Sequence, residues 1–416
     1  MDAGELLFRK EYGRIVTALA RIFGLEQIVL AEDVAQDVFC RALEVWKFRG
    51  VPANPPAWLL KAAKNRAIDL LRRERRLQTL VPELGRLLES EWTRVATVED
   101  LFSAETIKDD QLRMIFSCCD PQLTEETQVA LTLYLLCGFT TGEIAGAFLS
   151  KRGAIEKRIE RGKRVLAMSK RLFDLADRDL EKRLDAVHRT LYLLFNEGYH
   201  GASAERAVRA ELCREAMRLG ALLLENSRVA TPASYALCAL MSLHAARLPA
   251  RVDGDGELLA IDRQDRSRWD AMLIAKGTAL LEHAASGSDV SVYHVEAAIA
   301  ALHCDPPDAR KSERLVWLYD VLTQIRPSPV IALNRAIAIA QRDGPESGIA
   351  AIKAIPPNGK LEAYPFYSAA LGELELRAGH FEIARKHFES AALLARNPME
   401  ERFLRLRAER CNCAPV

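Results

Sequence analysis

Residues 55–76 hold the side chains of this 416-residue chain best suited to gripping a nucleic acid. Trp58, Ala62, Asn65, Asp69, Arg72 and Arg76 recur at a spacing that puts them on one face of a helix, while Leu59, Leu60, Ala63, Ala67, Leu70 and Leu71 share the other. An aromatic ring can stack on a base, short polar side chains can bond to base edges, and guanidinium groups can hold phosphates. From Lys61 to Arg76 the chain carries seven Lys or Arg, Arg66 and Arg73 among them, against Asp69 and Glu74. Pro55 and Pro56 suit a first helical turn, where the missing N–H is not needed. A solvated basic helix anchored by its leucines would show the same stripes, so the reading depends on what else the chain carries.

The second such stretch is Phe139 to Leu166. Thr140 or Thr141 can cap a short helix bearing Ile144, Ala145 and Phe148, and a tight break follows at Leu149-Ser150-Lys151. The next helix places Ile155, Ile159, Val165 and Leu166 inward and Arg152, Glu156, Lys157, Arg158, Arg161, Lys163 and Arg164 outward. This is helix-turn-helix spacing, with a second helix sized and charged for a major groove and the stretch Glu125–Leu136 to brace it. The plainer alternative is a basic helical hairpin packed on a neighbour.

Those two stretches must be positioned by helices. Strand signals are almost absent, and period-3.6 patterns between short Gly, Pro and Asn breaks predict an all-α fold. One helix is expected over 5–23, ending at Gly24. A second is expected over 26–46, with Val34, Val38, Ala42 and Val45 apolar and Asp33, Gln36 and Asp37 outward. The Pro/Gly-containing loop 47–54 then feeds the basic helix, a place where an extruded base can be held, or simply a turn. Residues 77–110 turn acidic through Glu83, Glu89, Glu91, Glu99, Asp100, Glu105, Asp109 and Asp110, and read as a linker that is helical in places.

Composition narrows the partners. At 49% hydrophobic and 28% charged the chain is of ordinary globular make-up, long enough for roughly two to three domains. Its net charge of +1 means that any nucleic-acid affinity must come from local clusters. No apolar run reaches about 18 residues, and Met1-Asp2-Ala3-Gly4-Glu5 is no signal peptide, so a cytoplasmic protein without a membrane partner is expected. Nine cysteines form no C-x-x-C pair and eight histidines lack ligand spacing, so neither a metal nor a disulfide framework is expected. The Cys411-Asn412-Cys413 tail stays open to redox chemistry. Without a Gly-rich phosphate loop, paired-carboxylate signature or nucleophile motif, no catalytic residue, cofactor or enzymatic activity is expected.

Taken together, the two stretches resemble bacterial RNA polymerase sigma factors. Residues 1–76 resemble the region 2 domain: Ala31-Glu32-Asp33-Val34-Ala35-Gln36-Asp37-Val38-Phe39 looks like the segment that docks on core polymerase, and Trp58 through Arg73 like the −10-element helix. Residues 111–172 resemble the region 4 domain that reads the −35 element, with 77–110 as the acidic tether. With no counterpart of region 1.1 or a folded region 3, the resemblance is to the extracytoplasmic-function (ECF) type. It implies core polymerase binding by Asp33, Gln36 and Asp37. It implies −10 contacts from Trp58, Asn65, Arg66, Asp69, Arg72, Arg73 and Arg76, and −35 contacts from Thr141, Arg152, Glu156, Lys157, Arg158, Arg161 and Arg164. Glu156 and Glu160 depart from the small, basic or aromatic residues usual there. A carboxylate cannot bind phosphate but can accept from cytosine N4, so either the −35 sequence is unusual or these acids face away from DNA.

About 240 residues follow where such factors usually stop. Residues 184–285 read as a helical extension domain, in which Gln264 to Asp270 clusters opposite charges around Trp269. This cluster is a ligand or partner site or, preferably, a polar network between helices. Over 286–410, Leu371, Gly372, Gly379, Ala384, Phe388 and Ala391 fit the tetratricopeptide template, and Leu333, Ala336, Gly348, Ile352 and Ile355 fit it 36 residues earlier. A TPR-like solenoid is expected, with a concave face for a regulatory protein or ligand. The layout resembles the ECF group with a C-terminal tetratricopeptide-like extension. The alternative is a helix-turn-helix transcriptional regulator with a solenoid sensor, which would have no reason to carry Asp33, Gln36 and Asp37.

Overall fold

The computed structural model describes residues 3–80, 104–148, 150–168, 177–199, 208–253, 259–287, 289–306, 308, 310–356, 361, 363–395 and 398–413. Among them the chain is all-α as expected, with 18 α-helices and no strand. None of these helices is long and apolar enough to cross a membrane. They pack as two units, residues 1–146 with 150–191 and residues 147–149 with 192–416.

The first unit holds α1 (Ala3–Phe23), α2 (Ile28–Arg49), α3 (Pro55–Leu80), α4 (Ala104–Cys118), α5 (Glu125–Cys137), α6 (Thr141–Ala147), α7 (Arg152–Met168) and the first part of α8 (Asp177–Tyr199). Its centre is α5. Thr124 caps it by accepting from the Thr127 N–H, Glu125 and Glu126 face the positive end of its dipole, and Gly138 at φ 65° ends it. From Thr127 to Cys137 every residue except Tyr134 is buried. A helix buried all round needs a neighbour on every side, and α1, α4 and α7 supply them.

Two glycines set how closely those neighbours approach. A Cβ on Gly13 of α1 would stand 2.1 Å from the Leu136 carbonyl oxygen, and one on Gly162 of α7 would stand 2.9 Å from Leu131 Cδ2. Helix α1 buries Tyr12, Ile15, Val16, Leu19 and Phe23 and stops where Gly24 takes φ 82°. Arg183 of α8 donates to the Phe116 carbonyl at 3.2 Å and to Asp120 at 2.9 Å, closing the far side. His188 beside it is 1% exposed, and burial pushes its pKa down to about 4.

The second unit continues through α9 (Ala210–Glu225), α10 (Pro232–Ala245), α11 (Ala271–Ala284), α12 (Val292–Cys304), α13 (Lys311–Ile325), α14 (Pro329–Asp343), α15 (Pro345–Lys353), α16 (Pro365–Arg377), α17 (Phe381–Leu393) and α18 (Pro398–Arg410). From α12 onward each helix packs chiefly on its neighbours in sequence, around three apolar clusters. The small residues at the positions of the expected repeat, Ala336, Gly348, Gly372 and Ala384, are all buried. A Cβ on Gly348 would stand 2.4 Å from that of Ala340. At the end of the chain Cys411 is buried with its Sγ on the Arg407 carbonyl, and the side chain of Cys413 lies outside the described residues.

Gly13→Ala forces α1 off α5 and is expected to cost at least about 3 kcal/mol in urea unfolding, the upper end of overpacking penalties. His188 is neutral in the fold down to pH about 4, whereas in the unfolded chain it charges near 6.5. Stability should therefore fall as pH drops from 6.5 to 4, by at most about 3 kcal/mol from this group. His188→Gln should flatten that fall in unfolding curves taken across the window.

Candidate nucleic-acid interface

Helix α3 begins on Asn54, whose side-chain oxygen accepts from the Ala57 N–H at 3.2 Å and whose carbonyl accepts from Trp58 N at 3.2 Å. Leu59, Ala63 and Ala67 are buried, and Leu60 and Leu70 half-buried; Asn65, Asp69, Arg72 and Arg73 are exposed together with Lys61. The side chains of Leu71 and Arg76 lie outside the described residues. Trp58 departs from expectation. Its ring is half-buried edge-on against Trp46, with centroids 5.5 Å apart at 66°, so it stiffens the start of α3 and offers only part of a face for stacking.

The loop before α3 is also shorter than the pattern predicted. Helix α2 runs on to Arg49, and Gly50 at φ 77° turns the chain. This leaves Phe48 at 84% and Val51 at 68% exposure beside the loop, an apolar pair flanked by Lys47 and Arg49. The alternation Lys47-Phe48-Arg49 was the available signal for it, and helical periodicity alone passes over it.

On α2, Asp33, Gln36 and Asp37 share the exposed stripe, opposite buried Val34, Val38 and Ala42. Asp37 stands 3.6 Å from Arg66, so the acidic stripe of α2 and the cationic side of α3 neighbour one another. Glu32 points the other way. It is 3% exposed and ion-paired with Lys163 of α7, whose ammonium lies 4.5 Å from the Tyr134 ring centre. Burial raises the Glu32 pKa, with Lys163 opposing the rise, and burial with the nearby Glu32 and Asp33 pushes Tyr134 up to about 12.

Lys163 is thus corrected from the outward to the inward face. It follows Ile159 by four residues and lies on the same stripe; a cation at such a position is read as solvated unless its partner is known. Two further ion pairs run between the same halves of the unit. Arg21 of α1 holds fully buried Asp110 of α4 at 2.9 Å. Arg9 of α1 pairs with Glu143 of α6 while lying 4.5 Å over the Phe139 ring. Asp110 therefore has a structural partner; Glu83, Glu89, Glu91, Glu99 and Asp100 lie outside the described residues.

Helices α6 and α7 are separated by residues 148–151, of which Leu149 lies outside the described residues. Thr140 caps α6 in a capping box, its N–H and hydroxyl donating to Glu143 at 2.8 and 2.9 Å while the Glu143 N–H donates back at 3.2 Å. On α7, Ile155, Ile159 and Leu166 are buried and Val165 half-buried. Arg152, Glu156, Lys157, Arg161 and Arg164 are exposed, and Arg158 is half-buried. The two unexpected acids are neutralised within the helix: Arg152 donates to Glu156 at 2.8 Å, and Arg164 pairs with Glu160. The Thr141 hydroxyl reaches Glu156 at 3.4 Å. Among the described residues Lys157, Arg158 and Arg161 make no ion pair, which leaves three cations for phosphate.

Residues 7–77 match the family described as Sigma-70 region 2, and residues 183–285 match a family of unknown function (DUF6596). An uncharacterized protein of Rhizobium meliloti is 36% identical over 402 residues, 96% of this chain and 93% of that protein. The ECF RNA polymerase sigma factor SigK of Mycolicibacterium vanbaalenii is 27% identical over 156 residues, 35% of this chain and 74% of the relative. The SigK of Mycobacterium ulcerans is 27% identical over 150 residues, 33% and 74% respectively.

Glu32→Ala would leave the half-buried Lys163 ammonium without its carboxylate and should destabilise the first unit by up to about 3 kcal/mol in urea unfolding. The double variant Glu32→Ala with Lys163→Met should recover most of that loss.

Proposed function

The chain belongs to the family of the Rhizobium meliloti protein and carries a sigma-70 region 2 at its start, and we propose that it is an ECF-type sigma factor with a C-terminal helical regulatory module. The observation that carries this reading is the coincidence, within residues 7–77, of the family match with two exposed polar stripes of opposite character. The α2 stripe of Asp33, Gln36 and Asp37 would dock on core polymerase. The α3 stripe of Asn65, Asp69, Arg72 and Arg73, with Arg66 beside it, would hold and read the opened −10 strand, with Phe48 and Val51 able to receive an unstacked base. On α7, Lys157, Arg158 and Arg161 would hold the −35 backbone while Thr141 and the paired Glu156 stand close enough to meet base edges. The polymerisation chemistry stays with the core enzyme. The helices from α12 to α18 suit a TPR-like solenoid and a regulatory protein partner.

The three ion pairs bear on how such a factor acts. The −10 and −35 elements lie on the order of 85 Å apart at 3.4 Å per base pair. A compact unit of about 190 residues spans only about 40 Å. In this reading α3 and α7 reach both elements only after α1–α3 part from α4–α7, and residues 81–103 allow roughly 75–80 Å of reach. Free protein is then a closed form, and binding to polymerase and DNA must offset the separation.

Run-off transcription by full-length protein with purified core polymerase, on genomic promoter fragments, should give discrete starts that core alone does not; failure on every fragment would count against the reading. Asp37→Arg should weaken core binding at least tenfold in pull-down or anisotropy titration while its circular dichroism stays that of the parent. Unchanged binding would remove the α2 assignment.

A further inference from the structure

Arg247, just past the end of α10, is a charge for which the described residues supply no counter-charge. It is 6% exposed. One guanidinium nitrogen donates to the Tyr199 hydroxyl at 2.6 Å and lies 2.8 Å from His244 Nδ1, while its Nε is buried with no hydrogen-bond partner. Among the described residues no carboxylate stands at ion-pair distance from it. The negative end of α10 offers about half a charge, spread over its last carbonyls. Such burial is among the most expensive a fold can hold unless an anion joins it.

Its surroundings are built rather than accidental. Arg251 lies 4.0 Å over the Tyr199 ring and donates to the Tyr199 carbonyl at 3.1 Å, so two guanidinium groups bracket one tyrosine that is 1% exposed. Phe195 stacks on Tyr199 at 5.9 Å and His244 leans on it at 4.9 Å, a stiff aromatic wall. The segment that follows returns to this place, with Leu259 N–H on the Arg251 carbonyl at 2.8 Å and Asp270 N–H on the Ala246 carbonyl at 2.9 Å. It carries two more buried polar atoms without partners, Gln264 Oε1 and Trp269 Nε1. His244 and Arg251 are only half-buried, so the cluster reaches the surface. All these residues fall within 183–285, the part matched by a family of unknown function, and none belongs to the polymerase- or DNA-facing sets.

We propose that Arg247 and Arg251, framed by Tyr199 and His244, form a binding site for a small molecule bearing a carboxylate or phosphate, whose oxygens accept from Arg247 Nε. The ligand supplies the missing negative charge, and Trp269 Nε1 and Gln264 Oε1 are the nearby polar atoms still open to its remaining groups.

The test is thermal unfolding of the full-length protein at fixed ionic strength, with chloride replaced by inorganic phosphate in one arm and by succinate in the other. At least one arm should raise the melting temperature saturably, by roughly 3–6 °C near a hundredfold excess over Kd, and the responding arm identifies the anion. Arg247→Met should melt no lower than the parent in chloride and lose that rise. Arg247→Lys, which keeps the charge with fewer donors, should need at least tenfold more anion, and it decides the matter if the Met variant does not fold. No saturable rise in either arm, or an undiminished rise in the variant that folds, would overturn the proposal.

Discussion

The first unit depends on one constraint: α5 is buried all round, so α1, α4 and α7 must lie against it, and α2 and α3 are placed in turn through α1. At Gly13 the approach is backbone to backbone, which leaves α1 almost no freedom to slide. The three long-range ion pairs then fix which way the partners are turned. A buried ion pair adds little net stability, since desolvation consumes most of the attraction, but a mispaired arrangement would strand a charge. Glu32–Lys163, Arg9–Glu143 and Arg21–Asp110 thereby specify one packing of α1–α3 on α4–α7.

That packing also settles which charges remain for a partner. The chain is nearly neutral as a whole, and many of its cations are spent on its own acids. On α7 two of the exposed arginines are engaged by Glu156 and Glu160 at one-turn spacing. Such pairs on an open surface are worth little and exchange readily. Opening these pairs would free the Arg152 and Arg164 guanidinium groups for another partner. On α3 the exposed Arg72 and Arg73 follow the polar Asn65 and Asp69, so charge and hydrogen-bonding groups are laid out along one face.

Much of this was legible in the sequence. The alternation of leucine and cation on α3, the stripe of Asp33, Gln36 and Asp37, and the turn between α6 and α7 are local patterns, and local patterns follow helical periodicity. What escaped involves partners far apart in the chain. Nothing near Lys163 announces Glu32, and nothing near Arg9 announces Glu143, 134 residues away. The half-burial of Trp58 has the same cause, since its neighbour Trp46 sits across the turn between α2 and α3. In the second unit the cluster around Trp269 was visible as composition, and part of it is the expected network. Arg266 stacks on Trp269 at 4.8 Å and donates to the last carbonyls of α12, and Asp270 caps α11. The isolation of Arg247 emerges only once the fold shows which acids stay away.

In the proposed function two basic surfaces, held together in the free chain, act on one promoter at a separation the closed unit cannot reach. Spin labels at Lys61→Cys on α3 and Gly153→Cys on α7, with exposed Cys40 replaced by serine, report that separation directly by electron–electron resonance. The free protein should give a distance under about 45 Å, as a compact unit of this size requires, lengthening by tens of ångströms in the polymerase–promoter complex. An unchanged distance in a complex that initiates transcription would contradict the account.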